Sequence, residues 1–156
     1  MKTYHLKTEQ AIPISIEEAW DFFSSPLNLS KITPDGMQFK ITSDYTPETK
    51  MYAGMLITYI ISPFLGLKMN WMTEITHVKE GEYFVDEQRF GPYALWHHQH
   101  HFKTIEGGVL MTDILDYAIP YGAIGRLANA ILVEKQVKQI FDYRVGAIER
   151  LFGTVI

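Results

Sequence analysis

The feature that most constrains the fold is a series of extended segments separated only by very short turn-forming clusters. Between residues 37 and 119 the breaks are Thr46-Pro47-Glu48, residues 63–66, Glu80-Gly81, Gly91-Pro92 and Glu106-Gly107-Gly108. Turns this short join only antiparallel neighbours, because a parallel crossover needs a dozen or more residues. Strands are therefore expected at 37–45, 54–62, 68–79, 82–90, 93–105 and 109–119, the later ones as a meander. Residues 3–12 add a seventh, which Pro13 ends. A sheet of such long strands twists and curls, so its concave side must be filled.

Helical stretches flank these strands, and the last of them is expected to be the filler. Ser15 is placed to cap a helix, with Glu17 and Glu18 in the first turn and Ala19, Trp20, Phe22 and Phe23 on an apolar face. Ser24-Ser25-Pro26 closes it, and residues 27–32 form a second short helix before the turn at Pro34-Asp35-Gly36. After Pro120 no proline interrupts residues 121–152, which predicts a helix of about 30 residues. Ile124, Leu127, Ala128 and Ile131 share one face. Val137, Ile140, Phe141, Ile148 and Leu151 continue an apolar stripe after a phase drift near Glu134-Lys135-Gln136, which predicts a bend or a broad buried face. This helix is expected to lie along the open mouth of the sheet.

At 156 residues the chain is read as one α+β domain spanning 1–156, long enough to bury a core without staples. There is no cysteine, which excludes disulfides, thiolate metal sites and cysteine nucleophiles. A net charge of -4 without a basic run argues against nucleic acid or an anionic membrane surface as partner. The apolar run at 51–67 is too short and too broken by Gly54, Pro63 and Gly66 to span a bilayer, and reads as a buried strand. No secretion signal is evident at the N-terminus, so a cytoplasmic location is expected. Pro63-Phe64-Leu65-Gly66-Leu67 is an unusually apolar turn, read either as packed under the long helix or as part of a cavity mouth.

The chemistry-bearing residues cluster in residues 96–102, WHHQHHF. Strand alternation puts Trp96, His98, His100 and Phe102 on one face, and the two large rings mark that face as inward. His97 and His101 then face outward. Two imidazoles at this spacing need a third ligand to hold a metal, and Asp86, Glu87 and Asp113 are the available carboxylates. The reading adopted is a metal-free and cofactor-free polar network in which Asp113, Gln88 and the two histidines satisfy one another. Held by Asp113, His98 or His100 also forms a candidate acid–base set. No nucleophile elbow, dinucleotide fingerprint or phosphate-binding loop accompanies it. Tyr59, Trp71, Phe90, Trp96 and Tyr117 are candidate cavity-lining rings, with Ile124, Leu127 and Ile131 as a cover.

The order strand, two short helices, six strands, long helix resembles the helix-grip fold of the START-like (SRPBCC) superfamily. So does the signature Gln88-x-x-Gly91-Pro92-Tyr93-x-x-Trp96-x-His98-x-His100-x-Phe102 with Met111-x-Asp113-x-x-x-Tyr117-x-x-Pro120. It is similar to a small stand-alone bacterial branch related to polyketide cyclase/dehydrase and lipid-transfer domains. That resemblance implies a cavity between sheet and long helix for an apolar small molecule such as a lipid, isoprenoid or polyketide. The alternative it implies is a cyclase or dehydratase using His98 or His100 with Asp113. The sequence leaves the oligomeric state open.

Overall fold

A computed structural model describes residues 1–64 and 66–155; Leu65, at the centre of the apolar turn, lies outside them. Seven antiparallel strands form one sheet: β1 (Tyr4–Ile12), β2 (Lys40–Ile41), β3 (Met55–Phe64), β4 (Leu67–Lys79), β5 (Tyr83–Phe90), β6 (Leu95–Ile105) and β7 (Gly108–Ala118). Their order across the sheet is β1-β7-β6-β5-β4-β3-β2, so the meander from β3 to β7 is continuous. β1 and β2 lie at opposite edges. The chain between them must cross the sheet, and it does so as helix α1 (Ile16–Phe23) followed by 3-10 turns at Pro26–Ile32 and Asp35–Met37.

The local rules account for most boundaries. The Ser15 side chain accepts a hydrogen bond from the Glu18 backbone N–H at 3.1 Å, satisfying one free donor of the first turn. Trp20 and Phe23 of α1 pack edge-on or tilted against Phe102 of β6, which fastens the crossing segment to the sheet.

The first strand of the meander is much shorter than expected. Residues 37–45 yield only Lys40–Ile41, because Met37 ends a 3-10 turn and Gln38 adopts a left-handed conformation with φ 48°. Beyond Ile41, the Ser43 hydroxyl accepts the Thr58 backbone N–H at 2.7 Å, so a side chain takes the place of the sheet partner. At the other end β3 runs past Ser62 to Phe64, and the shift in register between Ile61 and Phe64 accommodates Pro63 at a bulge.

The C-terminal helix is α2 (Gly122–Ala128), a π-helical turn (Asn129–Val133) and α3 (Glu134–Phe152) in unbroken succession. The π turn is the physical source of the phase drift in the apolar pattern, although it falls a few residues earlier than the drift suggested. It sets the buried row as Gly125, Asn129, Val133, Val137 and Phe141, one residue every four. Gly125 is required there: a Cβ would stand 1.9 Å from the Pro120 carbonyl oxygen. The face carrying Ile124, Leu127 and Ile131 is consequently turned to solvent, with 76%, 62% and 71% of each residue exposed. Those three residues do not cover the cavity. Among the described residues, no helix is long and apolar enough to cross a membrane.

Candidate functional site

Between the concave face of the sheet, the α1–3-10 crossing and α3 lies a cavity of about 140 Å³. Its wall divides into two regions of different chemistry. One is aromatic. Tyr59 and Trp71, partners across β3 and β4, stack with ring centres 5.9 Å apart, and Trp96 meets Trp71 edge-on at 5.4 Å. Tyr93 closes the group 4.7 Å from Trp96. Three polar groups of this wall satisfy one another: Thr73 Oγ1 accepts from Trp71 Nε1 at 3.1 Å and shares a 3.0 Å hydrogen bond with Tyr59 Oη. Burial raises the pKa of Tyr59 and of Tyr93, so both phenols stay neutral.

The other region is charged. Cross-strand register sets Asp86 of β5 opposite His98 of β6, and His100 opposite Asp113 of β7. The period of two turns all four toward the interior. His98 and His100 lie with ring centres 3.9 Å apart, between the two carboxylates. On one side, His100 Nε2 donates to Asp86 Oδ2 at 2.8 Å, and His98 Nδ1 is 3.4 Å from the same oxygen. On the other, His100 Nδ1 and His98 Nε2 approach Asp113 Oδ1 at 2.7 and 3.2 Å. These last two contacts are close but not aligned as hydrogen bonds. Arg144 of α3 reaches in from the facing wall, with Nη1 3.7 Å from Asp113 Oδ1 and a buried Nε that lacks a hydrogen-bond acceptor.

Charge is distributed unequally over this group. Burial works against a charged His100, but Asp113 and Asp86 together outweigh it and its pKa is raised. Burial and the neighbouring charge of His100 push His98 down, leaving it the neutral member. Burial favours the protonated form of Asp113, yet His100, His98 and Arg144 hold it well below the ordinary carboxylate value. Asp86 is lowered against the same opposition, chiefly by its hydrogen bond from His100, with the charges of His100 and Arg144 adding to it. With two carboxylates, one imidazolium and one guanidinium, the buried group is electrically balanced.

The structure places the predicted residues unevenly. Tyr59, Trp71, Trp96, His98 and His100 line the cavity. Asp113 stands behind the histidines and touches them rather than the cavity. Gln88 does not join the network: its amide donates to the Tyr93 carbonyl at 2.7 Å and accepts the Tyr93 N–H at 3.1 Å, clamping the β5–β6 turn. Gly91 leaves room for that clamp, since a Cβ there would meet the Gln88 Oε1 at 2.4 Å. Phe90, at the end of its strand, is 63% exposed and points away. Tyr117 is buried but stacks on Tyr4 at the β1–β7 edge, outside the cavity. On the outer face His97 pairs with Glu87 at 2.8 Å, as the alternation predicts.

Sequence reasoning missed Thr73 and Tyr93 of the aromatic wall and, more consequentially, Arg144. Its signal was present: Val137, Phe141, Arg144 and Ile148 follow helical spacing, so a cation occupies the buried stripe of α3. Asp86 was named only as a possible third ligand. Its cross-strand alignment with His98 needed the β5–β6 register, which a hairpin loop of uncertain length does not fix.

No family model matches the chain, and no curated protein does. Solved structures do. Protein CV1439 from Chromobacterium violaceum superposes with a TM-score of 0.72 at 15% identity, covering 96% of both chains. Major latex-like protein 151 from Panax ginseng matches with a TM-score of 0.68 at 16% identity, over 96% of this chain and 97% of its own. TTHA0849 from Thermus thermophilus gives 0.68 at 14% identity, covering 94% and 95%. The fold is the helix-grip fold. At such identities the likeness concerns architecture and carries no residue-level function.

Proposed function

We propose that this protein binds a small, mainly apolar molecule bearing one polar oxygen group. The observation that carries this reading is the division of the cavity wall. The aromatic region offers a broad apolar surface on which Tyr59, Trp71 and Thr73 satisfy one another, while the charged groups of the wall, Arg144, Asp86 and the histidines, gather at one place. Affinity then comes from apolar burial, roughly 25 cal/mol per Å², and orientation from the charged region. The START-like resemblance of the sequence supports the same reading. A volume of about 140 Å³ is close to a cavity that holds benzene. The enclosed part of the ligand is therefore the size of a single ring or a short branched chain. A long lipid would have to leave most of its length at the mouth.

The cyclase or dehydratase alternative needs a histidine free to exchange protons with a substrate. His100 has both ring nitrogens turned to carboxylates, so binding is the reading the geometry supports better.

Native mass spectrometry of gently purified protein, followed by titration of Trp71 and Trp96 fluorescence with mono- and bicyclic apolar acids and alcohols, tests it. Saturable quenching that Ile57→Trp abolishes by filling the cavity is expected. A clean mass together with no saturable response, or a response unchanged in Ile57→Trp, would refute the proposal.

A further inference from the structure

We infer that Asp86, His98 and His100 form a site for a first-row divalent transition-metal ion on the cavity wall. This inference stands apart from the ligand reading. The ligand atoms of the three residues all lie within 4.8 Å of one another. Asp86 Oδ2 is 3.4 Å from His98 Nδ1 and 2.8 Å from His100 Nε2. With metal–ligand bonds of about 2.0–2.1 Å, neighbouring ligands stand roughly 2.9 Å apart in octahedral geometry and roughly 3.4 Å apart in tetrahedral geometry. The His100–Asp86 separation matches the octahedral edge and the His98–Asp86 separation the tetrahedral one, so side-chain rotations of a few tenths of an ångström, with no movement of the strands, bring the three ligand atoms onto one centre.

The surroundings are those of a supported site. Each histidine turns its other nitrogen toward the same carboxylate, Asp113, at 3.2 and 2.7 Å. A carboxylate behind a ligating imidazole fixes its ring and tautomer and raises its basicity. Those atoms, His98 Nε2, His100 Nδ1 and Asp113 Oδ1, are buried without an aligned hydrogen bond. An ion on the opposite nitrogens would fix the ring orientations that these contacts leave slack. Arg144 stands 3.7 Å from Asp113, and its charge also acts on Asp86. Two carboxylates against one guanidinium leave a net negative charge for a cation once both imidazoles are neutral.

Two imidazoles and one carboxylate suit zinc, iron(II) or cobalt(II) rather than magnesium or calcium, which prefer all-oxygen sets. All three residues line the cavity, so the remaining coordination positions open onto the ligand space. The inference assigns the site and the class of ion, with no reaction attached.

The test uses untagged full-length protein, stripped with a chelator and titrated with Co²⁺ alone. Uptake of one ion per chain is expected, with visible absorption bands, a raised melting temperature and displacement by Zn²⁺. His98→Ala and Asp86→Ala should abolish uptake. Asp113→Asn should weaken it by about 10–100-fold. His97→Ala, on the outer face, should bind as the unsubstituted protein does. Should the buried variants not fold, the unsubstituted Co²⁺ protein decides the matter by NMR, through hyperfine-shifted exchangeable N–H signals from two imidazoles. No stoichiometric uptake, uptake unaffected by the substitutions, or absence of those signals would overturn the site.

Discussion

The two regions of the cavity wall hold themselves together in opposite ways. The aromatic region rests on packing, with the polar atoms of Tyr59 and Trp71 satisfied through Thr73. The charged region rests on electrostatic balance among Asp86, Asp113, His100 and Arg144, with several polar atoms left unaligned. The first is a finished surface that an apolar group can lie against. The second still has capacity to accept a partner, and any chemistry or recognition is concentrated there.

The largest way to break this contrast is at Trp71, which touches Tyr59, Tyr93 and Trp96. Trp71→Ala should cost about 4 kcal/mol by opening a void and removing one of the two hydrogen bonds to Thr73. Urea unfolding measures it, and the loss should be similar at pH 4 and pH 7. Asp113→Ala comes next, at about 3 kcal/mol, because it leaves buried cationic groups without their counter-charge. Here the loss should depend on pH. The Asp113 carboxyl is lowered in the folded state, so its stabilisation is present above the ordinary carboxylate pKa. It fades as pH falls from about 4 toward the folded value. A melting-temperature series should therefore converge for wild type and Asp113→Asn in strong acid and diverge above it; parallel curves would contradict the charge balance described.

Tyr59→Phe sharpens the comparison at smaller scale. It removes one of the two hydrogen bonds on the Thr73 hydroxyl and should cost about 1 kcal/mol, with Trp71 fluorescence reporting any change in stacking. The smallest effect is expected on the outside of the C-terminal helix. Ile131→Ser should change stability by less than about 0.5 kcal/mol, since that side chain faces solvent. A large loss there would mean that the row Ile124, Leu127 and Ile131 is covered in solution.

Alternation made the inward pair His98 and His100 legible, along with the outward His97, because period two acts locally and needs no partner strand. Element order made the helix-grip fold legible. The facing of α2 was not, since the rotation of an apolar row depends on every residue between it and the core, and a π turn intervenes. Phe90 and Tyr117 misled for another reason: an aromatic ring at a strand end or sheet edge follows the same alternation as one at the centre. Arg144 was not singled out because the apolar stripe was traced through its hydrophobic members alone, and a cation within the stripe interrupts that pattern.

The π turn has a consequence for how the chain length is accommodated. A π turn is equivalent to a single residue inserted into an α-helix, with both flanks kept in phase. Residues 130–132 are exposed, so one of them is dispensable to the interior. Deleting Ile131 would shorten the helix to plain α geometry while Gly125 stayed against Pro120 and Asn129 stayed buried. Converting the turn to α geometry at full length would instead rotate the upstream segment by about 100° and bring Arg126 inward. In this helix a shorter chain is the conservative change and a straighter one is the disruptive change.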